Sequence, residues 1–373
     1  MQKMIYHVMG RSGLKISAIS FGAMRWPSEE ECFEIVNHGL DLGLNYVDTS
    51  TGYEAGQCEA WTGKAVKARR NEIYFSAKSH WDAAPTTDQV RKTLEESLKK
   101  TGLDYFDFYQ VWGLQRQEVL DKVLAKGGTV DGVRKAMDEG IVKHGLGFTF
   151  HGTPEVFRAA IDSGEFLCAT VSYNLMNRQE EENIAYAAAH GVGTIIMNPL
   201  AGGVLALAGN SAFDFLRKDC RSGPAWGALR FLLANRNITT SIVGFAAPWE
   251  IDEAVQALDD AAALTEEYRQ GLIRQMETVK PIEGNFCTGC GYCKECPQGF
   301  NPTRFMKAMR DFAMYGVKRA QLAHWIFSQY PHNDIRKELA KCTGCRTCET
   351  KCPQHLQIVE NIERAIAAVN RKA

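Results

Sequence analysis

Eight of the chain's twelve cysteines fall in two short runs near its C-terminus, and their spacing leaves few structures open. The first run is Cys287-Thr-Gly-Cys290-Gly-Tyr-Cys293-Lys-Glu-Cys296-Pro297. The second is Cys342-Thr-Gly-Cys345-Arg-Thr-Cys348-Glu-Thr-Lys-Cys352-Pro353. Three cysteines spaced C-x2-C-x2-C can wrap one cubane iron–sulfur cluster, while a fourth, followed by proline, ligates the second cluster where two share a domain. The second run matches that spacing in full, and the first has two residues instead of three before its last cysteine. The pattern assigns one [4Fe–4S] cluster to Cys287, Cys290, Cys293 and Cys352, and the other to Cys342, Cys345, Cys348 and Cys296. Paired C-x2-C steps also build zinc ribbons, but the third step and the Cys-Pro endings favour clusters.

Thiols held in such runs point to metal and away from disulfides, in keeping with a reducing, cytoplasmic setting. Cys32, Cys58, Cys168 and Cys220 have no ligand spacing and read as incidental thiols. Between the runs the sequence has helical periodicity, for example over residues 303–315 and 319–329. That resembles an all-helical two-cluster ferredoxin arrangement. The aromatics of residues 325–330 read as its core.

Ahead of this tail, short apolar runs alternate with amphipathic helical stretches. Strands are expected at 16–22, 46–48, 73–77, 106–111, 145–148, 170–172, 193–197 and 240–243. Each is followed by a helical segment, as at 28–42, 58–67, 87–100, 154–162, 180–189, 225–234 and 248–258. Eight strand–helix units in about 250 residues match an α/β fold of the (β/α)8 TIM-barrel class. Residues 6–17, with Gly10 and Gly13 at their centre, read as a hairpin plugging the barrel bottom. A boundary near Lys280-Pro281 then gives a barrel over 1–279 and a mainly helical two-cluster ferredoxin-like domain over 280–373.

The formal net charge of −1 gives no electrostatic reason to expect nucleic acid or an anionic membrane as partner. No stretch reaches the roughly 18 apolar residues of a membrane span. The first ten residues lack the apolar run of a secretory signal.

In a barrel of this class the chemistry sits where strands end and the following loops begin. Those positions carry Asp48-Thr-Ser-Thr-Gly-Tyr53, Lys78-Ser-His80, Tyr-Gln-Val-Trp112-Gly, Thr149-Phe150-His151 and Met197-Asn198-Pro199-Leu200-Ala-Gly202-Gly203. With Leu-Asp-Tyr-Phe-Asp-Phe-Tyr at 103–109, these runs resemble the aldo-keto reductases. The whole chain is similar to the subgroup that carries a C-terminal 4Fe–4S domain.

The resemblance implies an oxidoreductase that interconverts a carbonyl and an alcohol, with Asp48, Tyr53 and Lys78 as catalytic residues. A tyrosine of ordinary pKa near 10 is a poor acid–base group at neutral pH. A neighbouring ammonium favours the phenolate, and a carboxylate holds that ammonium in place. The family's histidine is replaced by Trp112, whose indole donates one hydrogen bond and accepts none. His80 and His151 are the candidate substitutes.

The resemblance also implies a nucleotide site at Thr149, Thr170, Asn198, Pro199, Leu200, Gly202, Gly244, Glu250 and Glu253. Here the chain departs from the family. The carboxamide-binding Asn and Gln are replaced by Phe150 and Thr170, and the stacking aromatic by Met197. The 2′-phosphate cations fall at Gly244 and Glu250. A carboxylate there repels a 2′-phosphate and suits a ribose hydroxyl. NAD(H), NADP(H) and a site without pyridine nucleotide all stay open.

Three functions follow. One is a carbonyl–alcohol oxidoreductase whose two [4Fe–4S] clusters link it to ferredoxin or another redox protein. The second is a divergent barrel enzyme fed single electrons by the clusters, without nucleotide. The third is an electron-transfer subunit with the barrel as docking platform. A basic rim of Lys318, Arg319, Lys337 and Lys341 could meet an acidic ferredoxin, and Gly202-Gly203 could bring backbone amides to a phosphate.

Overall fold

A computed structural model describes residues 4–24, 26–206, 211–219, 223–279, 287–314, 322, 326 and 335–370. The chain divides into two compact units: Met1–Leu200 with Leu216–Ile273, and Ala201–Phe215 with Arg274–Ala373.

The first unit is built on ten strands: β1 (Tyr6–Val8), β2 (Lys15–Ser17), β3 (Ile19–Gly22), β4 (Tyr46–Asp48), β5 (Tyr74–His80), β6 (Phe106–Leu114), β7 (Val142–Phe150), β8 (Cys168–Ser172), β9 (Gly193–Met197) and β10 (Thr240–Val243). Strands β3 to β10 close a parallel barrel in the order β10-β3-β4-β5-β6-β7-β8-β9. Helices pack around it, so both faces of each strand are buried and the strands read as near-continuous apolar runs. The expected strands are all present, with β5, β6 and β7 extended toward the ends that carry the candidate residues.

Local signals fix the helices. Ser28 accepts a hydrogen bond from the Glu31 amide at 3.1 Å and so caps helix α1 (Glu29–Asp41), giving one of the helix's otherwise unpaired terminal donors an acceptor. Pro154 and Pro248 open the helices Pro154–Asp162 and Pro248–Gln256, where a missing N–H costs nothing.

The barrel's lower end is plugged as the sequence predicts. Strands β1 and β2 form an antiparallel hairpin with Tyr6 opposite Ser17. Its Met9 and Ile16 are fully buried against Tyr46, Phe108, Cys168 and Ile195, which point into the barrel. Gly10 sits at φ +49°, and a Cβ there would lie 2.7 Å from the Gly193 nitrogen and 2.9 Å from the Leu167 carbonyl oxygen. Only glycine allows that approach.

In the second unit, helices Pro302–Met314, Ile335–Ala340 and Ile358–Asn370 bury one core. Phe300, Phe305, Met306, Leu339, Ile358 and Ile362 pack there together with Cys287, Cys293 and Cys352. The helix expected at 319–329, the boundary at Lys280-Pro281, the full aromatic segment 325–330, Lys318 and Cys220 lie outside the described residues, apart from Leu322 and Ile326, which join this core. Among the described residues no helix is long and apolar enough to cross a membrane.

Candidate active site

Parallel pairing brings the strand ends together at one mouth. In register, Asp48 lies opposite Ser76, Lys78 opposite Gln110, and His80 opposite Trp112. Strand β5 reaches His80, so Lys78 and His80 point to the same face. Asp48 and Lys78 form an ion pair, 1% and 3% exposed. A buried pair of this kind is stable only if its remaining polar positions are also met.

They are met by Gln110. Its amide nitrogen donates to Asp48 Oδ2 at 2.8 Å, the oxygen not paired to Lys78, and to Ser76 Oγ at 2.9 Å. Its carbonyl oxygen accepts from Thr170 Oγ1 at 2.6 Å. The amide orientation follows from the chemistry: the flipped amide would set its oxygen against a carboxylate. Gln110, Ser76 and Thr170 are all buried. Sequence reasoning missed Gln110. The available signal was one amide at an inward position of β6, in step with Phe106, Phe108 and Trp112.

Tyr53 opens the short turn Tyr53–Gly56 that follows β4 and is half-buried. Lys78 Nζ lies 4.7 Å from its ring centroid, over the face of the ring. The Trp112 ring stands 6.3 Å from Tyr53, and His80 meets Trp112 edge-on at 5.5 Å. His80 Nδ1 bonds Asp82 at the rim. His151 follows β7 at this same end and is half-buried. The four groups Asp48, Lys78, Tyr53 and Trp112 thus form one contiguous set, with His80 behind Trp112.

The titration behaviour differs from the sequence expectation. Burial, then the Asp48 charge, pushes the Tyr53 phenol well above its ordinary value of 10.0. Burial and the neighbouring carboxylate thus favour the protonated phenol. Burial also raises the Asp48 carboxyl, against the lowering pull of Lys78 and Gln110.

The nucleotide-side residues are engaged elsewhere. Phe150 is fully buried and packs at 5.0 Å on Phe157, in the layer between sheet and helix. Thr170 is bound to Gln110, and Thr149 Oγ1 accepts from the Gly113 amide at 3.1 Å. The Asn198 carbonyl accepts from Asn174 Nδ2 at 3.1 Å; Pro199 is buried, and Leu200 and Met197 are half-buried. Gly244 is exposed. Glu250 accepts the Ala246 amide at 2.6 Å at the start of helix Pro248–Gln256, and Glu253 accepts the Gly223 amide at 2.8 Å. With a carboxylate already on those amides, these residues do not fit a 2′-phosphate.

The cysteines fit two clusters. Cys287, Cys290, Cys293 and Cys352 line one apolar cavity; Cys296, Cys342, Cys345 and Cys348 line another. The two sets are those read from the spacing. Among the described residues no three His, Cys, Asp or Glu side chains converge closely enough to hold a single ion. The sulfurs instead surround spaces suited to a cubane, each fed by both cysteine runs. The Gly289 amide donates to Cys287 Sγ at 3.4 Å, and Thr303 Oγ1 lies 3.2 Å from Cys293 Sγ. In the same unit, Gly202 sits at φ +68°, and a Cβ there would fall on the Thr288 carbonyl, inside contact distance.

Comparison with known proteins agrees with both halves. The aldo/keto reductase family model matches residues 18–270, and the 4Fe-4S dicluster domain matches residues 283–356. The chain is 24% identical over 210 residues to the uncharacterized oxidoreductase YqkF of Bacillus subtilis, covering 53% of this chain and 65% of that one. It is 26% identical over 298 residues to L-galactose dehydrogenase of Arabidopsis thaliana, covering 71% and 91%. The solved holo form of aldo-keto reductase AKR11C1 from Bacillus halodurans superposes with a TM-score of 0.63 at 24% identity, over 73% of this chain and 96% of that one, a likeness of fold. The chain belongs to the aldo/keto reductase family, as an oxidoreductase barrel joined to a dicluster 4Fe–4S domain.

Proposed function

We propose that the protein interconverts a small carbonyl compound and its alcohol at Tyr53, with the electrons passing through the two clusters of its C-terminal domain. The observation that carries this reading is the contiguous set of Asp48, Lys78 and Tyr53 at the barrel mouth. Reduction consumes two electrons and two protons: one proton reaches the carbonyl oxygen, and the other would join the carbon together with the electron pair, as hydride, from a reduced pyridine nucleotide where one is bound. The neutral Tyr53 phenol is the donor for the oxygen. As its proton leaves, the Lys78 ammonium stabilises the phenolate that forms, and Asp48 with Gln110 keeps Lys78 in place. Trp112 gives the pocket an apolar wall beside Tyr53. A bound [4Fe–4S] cluster supplies one electron at a time.

A second reading dispenses with pyridine nucleotide altogether. It is favoured by the burial of Phe150, the Thr170–Gln110 bond and the Glu250–Ala246 amide bond. Titration of the cluster-loaded protein with NADH and NADPH, followed by fluorescence, separates the two. Saturable NADH binding supports a hydride route, and binding of neither removes it. Incubating chemically reduced protein with a panel of aldehydes and ketones tests the shared reaction. Absence of any alcohol product, with both clusters present, overturns carbonyl reduction.

A further inference from the structure

Beside the first cluster cavity the tail carries an open groove of about 490 Å³. Gly291 and Thr303 line both the groove and the cavity of Cys287, Cys290, Cys293 and Cys352. A molecule seated in the groove is therefore separated from that cavity by the thickness of those two residues. Gly291 presents no side chain, and its φ of +85° holds the cysteine loop in a form that a bulkier residue there would strain.

Three of the four charged residues that line the groove are cations. Lys294, Arg304 and Lys307 line it, and all three are exposed. Asp311, the acidic residue that lines it, is paired with Arg310 at 2.7 Å. Glu295, next to Lys294 in the chain, faces Lys351 at 3.8 Å. These cations come from a cysteine loop and from the first turns of helix Pro302–Met314, so the fold and not the local sequence gathers them. Of the basic rim expected from sequence, Lys341 is held by Glu338 at 2.7 Å, Lys337 does not line this groove, and Lys318 and Arg319 lie outside the described residues.

We propose that this groove docks an acidic one-electron carrier protein and that electrons reach the tail there, through the Cys287-containing cluster. The proposal rests on the reading that the clusters carry electrons. Three long exposed cations over an open groove suit the carboxylates of a protein surface. A single phosphate is more often held by converging backbone or buried donors. Electrostatic complementarity of this kind raises the association rate and makes it salt-dependent. The step moves one electron from the reduced carrier to the oxidised cluster; no bond forms or breaks and no proton moves.

The test uses the full chain with both clusters and a purified, pre-reduced acidic [2Fe–2S] ferredoxin as probe. Stopped-flow bleaching of the cluster absorbance gives the electron-transfer rate without any substrate. We expect that rate to fall steeply with ionic strength in the wild type. It should fall at least about tenfold in R304E/K307E, whose residual rate is nearly independent of salt. Lys99→Glu, on the barrel helix Thr87–Thr101, serves as the control and should keep the wild-type rate. Iron content and direct reduction by dithionite establish that each variant holds both clusters. If the charge reversal prevents loading, R304Q/K307Q replaces it, with a smaller loss expected. A wild-type rate in the loaded variant, an equal loss in the control, or failure of the probe to reduce clusters that dithionite reduces would each overturn the proposal. So would full suppression by pyrophosphate at constant ionic strength, which would make the groove a phosphate site. Failure of the carbonyl reading is seen separately, as clusters that the carrier reduces without any alcohol being formed.

Discussion

Gln110 holds Asp48 by the carboxylate oxygen that Lys78 leaves free, across 2.8 Å of a fully buried barrel interior. The ion pair under Tyr53 is therefore one face of a larger assembly that runs through Gln110 to Thr170 on the far side of the barrel. Replacement of Gln110 by leucine removes its hydrogen bonds to Asp48, Ser76 and Thr170 and leaves those groups facing apolar carbon. A hydrogen bond to a buried charged group contributes about 1.5–3 kcal/mol. Gln110→Leu should lower the melting temperature by several degrees in thermal denaturation. It should lower kcat by roughly tenfold with KM within about twofold, because the loss falls on the group that steadies the phenolate. An unchanged kcat would reduce Gln110 to a packing role.

Proton donation from Tyr53 requires the neutral phenol, which predominates below its pKa. With that pKa well above 10.0, the rate of carbonyl reduction should stay flat from neutral pH up to about 10. Alcohol oxidation requires the phenolate and should rise with pH over the same range. Paired pH–rate profiles check both limbs. Tyr53→Phe should lose most turnover in both directions while keeping the cluster absorbance.

Cross-ligation gives the cysteine variants a distinctive grouping. Cys293→Ala and Cys352→Ala, 59 positions apart by subtraction, line the same cavity and should deplete the same cluster. Cys296→Ala, close to Cys293 in the chain, should deplete the other. In each case iron should fall from about eight to about four atoms per chain, and EPR of the reduced protein should tell which signal is lost. Pairing of Cys293 with Cys296 in the same lost signal would break the assignment.

Gly202 and Gly203 both adopt positive φ, +68° and +89°, so alanine strains the backbone at each by roughly 1–2 kcal/mol. They differ in what surrounds them. A Cβ at Gly202 meets the Thr288 carbonyl next to Cys287, whereas one at Gly203 meets nothing within 4 Å. Gly202→Ala should lower occupancy of the Cys287-containing cluster, and Gly203→Ala should leave it filled. Iron analysis of both purified variants decides the matter.

The buried Asp48–Lys78 pair and the two cysteine sets were legible in the sequence because each depends on a local rule. Asp48 and Lys78 stand at strand ends, and the eight cysteines follow fixed steps. Gln110 was not legible, because its hydrogen bonds need the register of β4, β5 and β6 together with the closure that brings β8 across the barrel. The raised Tyr53 phenol was not foreseen for a related reason: adjacency to Lys78 was legible, but the burial of the ring beside the Asp48 charge was not. Lys294, Arg304 and Lys307 carry no motif at all, and only a turn and a helix bring them to one groove. The sequence shows a carboxylate at Glu250, but its bond to the Ala246 amide could not be foreseen from composition.

On the proposed reading, the hairpin that seals the lower end also bears on how the Tyr53 proton is renewed. Met9 and Ile16, with Phe108 and Ile195, give the barrel a dry floor beneath the Asp48 assembly. On that reading a proton given up by the Tyr53 hydroxyl is regained through the mouth by which the alcohol departs, so recharging the acid and clearing the product share a single passage.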